Sequence, residues 1–377
     1  MKAVAQRVAA LALMAFLASA AAAPATVVAA GPASLAAAPA APDTSTLLTT
    51  LSKDWFKGEW RSYRSRFVSV DGRVIDNGNG SISHSEGQGY GLLLALQAED
   101  AASFETIWHW TADHLRKRSD ALFAWRWDPQ QGQATDPNNA SDGDLLIAWA
   151  LIRAAKRLGR DDYAAEARRI MDSWSAKVVV AHGSETLLLP GATGFRAADQ
   201  PAGPVVNPSY WIFAAFADLA PLAPGLDWSA LHRSGLRIIE ASQFGPARLP
   251  AEWVALGGTR PAPAANFPAQ FGYNAIRIPL YLAQDPTAPR ALLGRYAAAD
   301  FPSATRPGPG VVDLQTGLTQ QAMSGAGYRM VLALARCAFR NEAIPMSLLS
   351  ARDSFYYPET LRLLSVIVVQ ERFPRCL

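Results

Sequence analysis

Cysteine is almost absent from this chain, with two residues in 377, Cys337 and Cys376, and histidine is scarce, with five. No pair of them has zinc-finger or HExxH spacing, so no protein-bound metal and no cofactor are expected. Two cysteines are too few for a disulfide framework; they can stay free or pair, and a bridge would tie the C-terminus to a helical segment and serve stability. Charge is nearly balanced, 35 Lys and Arg against 32 Asp and Glu, and no dense basic cluster is present. The footprint of a nucleic-acid binder is therefore missing. No repeat of fixed period is visible, which argues against an open helical solenoid. The low charged fraction, 18%, beside 50% hydrophobic residues excludes a disordered chain.

The first 23 residues carry bases at Lys2 and Arg7, an apolar run from Val8 to Leu17 and the small residues Ala18-Ser19-Ala20. These are the three parts of a secretory signal, and the apolar run has roughly half the length of a bilayer-spanning helix. The protein is expected to be exported, to the periplasm or the medium. Residues 24–43 are mostly Ala, Pro, Val, Gly and Ser without charge, a flexible spacer. From 44 to 377 no second low-complexity stretch intervenes, and a single domain is expected, monomeric.

Within that domain the i, i+3, i+4, i+7 apolar pattern predicts helices over 89–98, 104–115, 145–158, 163–179, 208–219, 228–243, 275–283, 287–299, 318–339 and 358–371. This is an all-α count. Strands are expected only as short pieces, such as 67–75 around the Asp71-Gly72 turn. Paired helices of this number can close into a ring of apolar inner and amphipathic outer helices, with polar residues converging where the inner ones begin.

Two acidic clusters stand at the starts of apolar helices. Glu86 lies in Ser83-His84-Ser85-Glu86-Gly87-Gln88-Gly89-Tyr90-Gly91. A capping arrangement, with Ser83 or Ser85 as the cap and Glu86 complementing the helix dipole, accounts for an acid there. It does not account for three glycines in one helix start, each costing up to about 1 kcal/mol, which need a reason such as backbone approach to a ligand. Asp142 and Asp144 open a second helix, where one cap would need only one of them. Eleven tryptophans complete the pattern. Flat aromatic rings stack on sugar faces while carboxylates bind hydroxyls, and Trp125 and Trp127 are the candidates for a cleft.

The runs Ser85-Glu86-Gly87-Gln88-Gly89-Tyr90-Gly91 and Ala140-Ser141-Asp142-Gly143-Asp144-Leu145-Leu146-Ile147-Ala148-Trp149-Ala150-Leu151 resemble the two signature segments of family 8 glycoside hydrolases. Asn207-Pro208-Ser209-Tyr210, Leu249-Pro250-Ala251-Glu252-Trp253-Val254 and Tyr273-Asn274-Ala275-Ile276-Arg277-Ile278-Pro279 extend the likeness over the chain beyond the spacer. The resemblance implies an (α/α)6 toroid and inverting endo-cleavage of β-1,4 bonds, most often in cellulose. It implies Glu86 as general acid and Asp142 as a second catalytic acid, with Asp144, Tyr210, Tyr273, Asn274 and Arg277 on the substrate side. Arg277 is expected to pair with a nearby acid.

One position departs from the family pattern. Many members have Asp where Asn274 stands, as the base that activates water, and an amide cannot take that proton. Asp142, Glu252 and Asp313 are the carboxylates left to consider. Two rivals follow: a polysaccharide lyase, which would want a Tyr or His base and a basic cleft, and a non-catalytic glycan-binding accessory of cellulose synthesis. Lichenan, xylan and chitosan are alternative substrates. The absence of a carbohydrate-binding module leans toward trimming of the cell's own cellulose, with a cellulose-synthesis machine as partner.

Overall fold

A computed structural model describes residues 53–298 and 308–377. The segments expected to be a signal and a spacer lie outside these residues. Helix α1 (Lys53–Phe67) is followed by α2 (Ser85–Gln97), α3 (Ala101–Leu115), α4 (Ser141–Leu158) and α5 (Asp161–Val178). Then come the short α6 (Phe216–Leu219), α7 (Trp228–Ala241), α8 (Ile278–Gln284), α9 (Gly294–Ala297), α10 (Ala326–Arg340), α11 (Met346–Leu349) and α12 (Tyr356–Arg372).

Burial sorts them into two layers. In α2 every residue from Ser85 to Leu96 is buried, in α4 every residue from Ser141 to Ile152, and in α12 every residue from Tyr356 to Val369. Such all-round burial is possible only for helices surrounded by others. By contrast α5 buries one stripe, Tyr163, Ala167, Ile170, Met171, Trp174 and Val178, and α7 another, Leu231, Ser234, Gly235, Ile238 and Ile239. The inner helices touch in a closed cycle: α2 against α4, α4 against α6 and the turn before it, that turn against α8, α8 against α10, α10 against α12, and α12 against α2. Helices α3, α5 and α9 lie outside α2, α4 and α10, and α1 packs on α12. The molecule is an (α/α)6 toroid.

Glycines set how closely the inner helices approach. A Cβ on Gly89 would sit 2.5 Å from the Leu146 Cβ of α4, and one on Gly91 2.7 Å from Val74 Cγ2. One on Gly143 would come within 2.8 Å of the Glu86 backbone nitrogen. The glycines around Glu86 thus serve close packing, Gly89 against α4 and Gly91 against the Val74 segment, a correction to the reading of them as room for a ligand. Their effect on the site is indirect: α2 and α4 cross at their first turns.

Strands are short hairpin pieces over the helix ends. They include β1 (Ser83–His84), β2 (Arg126–Asp128), β3 (Gln133–Asp136), β4 (Val179–His182), β5 (Glu185–Leu188), β6 (Val205–Val206), β7 (Val254–Ala255) and β8 (Ala262–Pro263). β9 (Gln270–Phe271), β10 (Gly310–Asp313) and β11 (Thr319–Ala322) complete them. Pairing is antiparallel in the orders β1-β2-β3, β4-β5, β6-β7-β8 and β11-β10-β9. The predicted strand over 67–75 shrinks to a bridge between Val68 and Val74, with Gly72 at φ +98° in its turn.

The helix predicted over 318–339 starts only at Ala326, because Thr319–Ala322 pairs as β11 and Gly325 is the extended cap. That predicted over 208–219 is broken into 3₁₀ turns at Pro208–Tyr210 and Phe213–Ala215 before α6. Cys337 of α10 and Cys376 are joined by a disulfide, with Cα atoms 6.0 Å apart.

Candidate active site

The first turns of α2, α4 and α12 and the approach to α8 meet at one end of the ring, and there the acids converge. The α2 cap is neither serine. His84 stands at the N-cap with extended backbone, and its Nδ1 accepts from the Gly87 N–H at 3.0 Å. An accepting Nδ1 places the ring proton on Nε2, which faces Asp76 Oδ2 at 3.5 Å. Glu86 is thereby spared capping duty. Its partner is Arg277, whose Nη1 donates to Glu86 Oε2 at 2.5 Å and to Asp142 Oδ2 at 2.9 Å.

Arg277 is fully buried and committed in every direction. Its Nη2 donates to Ser209 Oγ at 3.0 Å and to Asn274 Oδ1 at 2.8 Å, and its guanidinium lies 5.5 Å from the centre of the Tyr210 ring. Because a guanidinium has no acceptor, Asn274 must turn its oxygen toward Arg277 and its amide nitrogen away. That nitrogen faces Glu252 Oε1 at 3.4 Å, and the Asn274 backbone N–H donates to the same oxygen at 2.6 Å. Gln270 Nε2 holds Glu252 Oε2 at 2.9 Å.

One cation for two buried carboxyl groups leaves a charge uncompensated. Burial, reinforced by the neighbouring Glu86 charge and a hydrogen bond to it, pushes the Asp142 carboxyl up to about 7 in spite of Arg277. The pair therefore keeps a proton at acidities where an exposed carboxyl has lost its own. The Asp142 side chain has no exposure, whereas that of Glu86 keeps 6%.

Asp144 lies in a different place. Phe123 N donates to its Oδ1 at 2.9 Å and Asn139 Nδ2 to its Oδ2 at 2.7 Å, while Asn139 Oδ1 accepts from Ala192 N at 2.7 Å. It pins the segment leading to Trp125 and is fully buried, so it acts on the site through backbone. Burial also pushes Asp144 up to about 7. Trp125 is buried, and its carbonyl accepts from Ser85 N at 3.0 Å, shaping the entry to α2. Trp127 is half-buried on β2, edge-on to Trp110 and under the Arg73 guanidinium. Tyr210 forms the wall behind Arg277, and Tyr273 is half-buried, its carbonyl accepting from Tyr357 Oη at 2.6 Å.

Of the residues singled out in the sequence, the structure brings Glu86, Asp142, Asn274 and Arg277 together in one cluster. Sequence reasoning missed His84 as the cap, Ser209 as an Arg277 partner and the Tyr90–Tyr281 hydroxyl pair at 2.6 Å beneath them. His84 and Ser209 both stand inside recognised motifs, but the direction each side chain takes is set by the packed fold. Among the described residues no three His, Cys, Asp or Glu side chains gather as a metal site.

A helical toroid with a buried carboxyl pair and a guanidinium at the starts of its inner helices belongs to the class of carbohydrate-cleaving (α/α)6 proteins. More narrowly, the chain belongs to glycosyl hydrolases family 8, whose model matches residues 37–371. It is 36% identical over 321 residues to a probable endoglucanase of Novacetimonas hansenii, covering 83% of this chain and 90% of that one. Among solved structures it is similar to endoglucanase Cel10 of Klebsiella pneumoniae, with TM-score 0.73, 34% identity and coverage of 84% of this chain and 99% of that one. The endo-β-1,4-glucanase CMCax of Acetobacter xylinum gives TM-score 0.72 and 34% identity, with coverage of 85% and 99%.

Proposed function

We propose that this protein is an endo-acting hydrolase of β-1,4-glucosidic bonds in cellulose or a related β-glucan, inverting at the anomeric carbon, with Glu86 as the general acid. The observation that carries the reading is the shared guanidinium: Glu86 and Asp142 divide one Arg277 Nη1. A buried cluster of two carboxyls and one cation is neutral only when it holds one proton, and burial selects the neutral form. The hydrogen-bonded pair keeps that proton near neutral pH; Asp142 is sealed from solvent, so the proton leaves through Glu86, which reaches solvent and can pass it to a glycosidic oxygen. The helix N-terminus and Arg277 favour the anion that Glu86 becomes after donation. Donation and stabilisation thus fall on one residue.

The same geometry gives Asp142 a supporting part. Its nearest oxygen and that of Glu86 lie on one nitrogen, too close to flank a sugar and a water, for which an inverting pair stands about 6.5–9.5 Å apart. It acts through Glu86 and Arg277. Export rests on the N-terminal residues, and would place a β-glucan-trimming enzyme outside the cytoplasm or beside a cellulose-synthesis machine. Lichenan, xylan and chitosan remain substrates to compare, and a glycan-binding accessory is the second reading, kept open by the amide at Asn274.

Reducing-sugar release from carboxymethylcellulose, with proton NMR of the first anomer formed from cellopentaose, tests the reading. Activity with the α-anomer appearing first and lost in Glu86→Gln is expected; full activity in Glu86→Gln, or no activity in the wild type, overturns it. The N-terminus of the protein recovered outside the cytoplasm should begin within or just after Ala18–Ala23.

A further inference from the structure

We propose that Glu252 is the general base, taking a proton from the attacking water beside Asn274, which positions both. The inference rests on the hydrolytic reading above and supplies the partner that Glu86 lacks.

The position where a base would stand is occupied by an amide, but a carboxylate is built against it. Glu252 Oε1 accepts from the Asn274 backbone N–H at 2.6 Å and faces Asn274 Nδ2 at 3.4 Å, while Gln270 Nε2 fixes Oε2 at 2.9 Å. The chain makes room for this: a Cβ on Gly272 would fall 2.8 Å from Glu252 Oε1. An amide nitrogen carries two hydrogens, so Asn274 can aim one at Glu252 and hold a water with the other. Arg277 and Asn274 stand between the two glutamates: Glu86 bonds one end of the guanidinium, Asn274 Oδ1 the other, and Glu252 the far side of Asn274. Acid and base thus lie on two sides of one rigid spacer.

The other candidates are closed by their contacts. Asp142 shares a nitrogen with Glu86 and has no exposure. Asp313 ends β10, and its carboxylate is spent on its own turn, accepting from Gln315 N at 2.9 Å, Thr316 N at 2.8 Å and Gln320 Nε2 at 3.1 Å. Asp144 is fully buried against Phe123 and Asn139. Glu252 keeps 5% exposure, and its hydrogen-bond donors Gln270 and Asn274 are neutral, with Arg277 acting on it only through space. Burial pushes its carboxyl above the usual range, the direction that makes a better base.

In the step, the water oxygen bonds to the anomeric carbon as its proton passes to Glu252. The bond to the leaving oxygen breaks, and its electron pair takes the proton of Glu86. Glu252 ends protonated and Glu86 ionised, and exchange with solvent restores both.

The test uses the mature full chain and cellopentaose. In Glu252→Gln, which preserves the acceptor for Asn274 N, kcat should fall at least about 100-fold with KM nearly unchanged. Sodium azide, which needs no base, should restore turnover with an α-glycosyl azide as product, and Asn274→Asp in the Glu252→Gln background should restore hydrolysis. Retained kcat in Glu252→Gln, or a loss that neither azide nor Asn274→Asp rescues, overturns the proposal. If Glu252→Gln does not fold, Glu252→Asp carries the test: lowered kcat at constant KM supports the assignment, and wild-type kcat defeats it. An inactive wild type, or an active Glu86→Gln, would instead defeat the hydrolytic reading itself.

Discussion

Two arginines, Arg277 and Arg362, are buried without exposure worth counting, and each bridges two glutamate or aspartate side chains. They teach opposite lessons. Arg362, in α12, is bidentate to Glu359 through Nε at 3.0 Å and Nη2 at 2.9 Å, and Nη2 also bonds Glu59 of α1. Two more cations join: Arg66 donates to Glu359 at 2.9 Å and Arg352 to Glu59 at 3.1 Å. There the cations exceed the anions, and although burial pushes Glu359 upward, Arg362 holds it below the ordinary carboxylate range. Around Arg277 the anions exceed the cation, and Asp142 moves the other way. The same motif is a clamp when saturated with positive charge and a proton store when short of it.

The largest break in this comparison is Glu86→Gln. It keeps an acceptor for Arg277 but has no acid to give, and kcat on cellopentaose should drop about 10²–10⁴-fold with little change in melting temperature. Next, Arg362→Met strips the clamp and leaves buried anions behind, so urea unfolding should show a loss of about 3–5 kcal/mol with any remaining protein catalytically normal.

The pH dependence of stability separates the two regions by sign. Asp142 has a folded value of about 7, above its unfolded value near 3.9. The folded state therefore binds the extra proton, and this contribution is full below about pH 4 and lost as pH rises toward 7, amounting to a few kcal/mol. Asp142→Asn should flatten that decline. Glu359, depressed in the fold, contributes above about pH 4.3 and loses its share as pH falls, so Glu359→Gln should flatten the acid side instead. The smallest effect belongs to Asp144→Asn. An amide can accept from only one of Phe123 N and Asn139 Nδ2, and the other donor is left unpaired, for about 1–3 kcal/mol by thermal melt.

The sequence made the inner helices legible because apolar periodicity survives in them, and the starts of α2 and α4 were readable from acids set before apolar runs. Helices near 208–219 and 287–299 were misread as continuous because periodicity does not register the caps and prolines that cut them into 3₁₀ turns. Helix α1 was missed altogether: its buried Phe56, Trp60, Tyr63 and Phe67 have helical spacing but stand among charges that thin the signal. At the site, Glu86 and Arg277 could be named, yet their contact spans 191 positions and no local rule predicts it. The glycines were noticed for the right reason, their cost, and explained by the wrong partner, a ligand instead of a neighbouring helix and the Val74 segment.

Ring closure also sets an order of events. The Arg362–Glu59 pair joins residues 303 positions apart, and α12 fills the gap between α10 and α2. Helices α2 through α5 can collapse locally as they emerge, but α1 has no clamp until the last inner helix exists, so the final docking is a contact of very long loop and slow formation. Until that moment the wall of the ring stays open along two faces that are apolar in the finished protein. A chain stopped short of α12 should leave a sticky open cylinder, a substrate for chaperones and proteases before it is ever an enzyme.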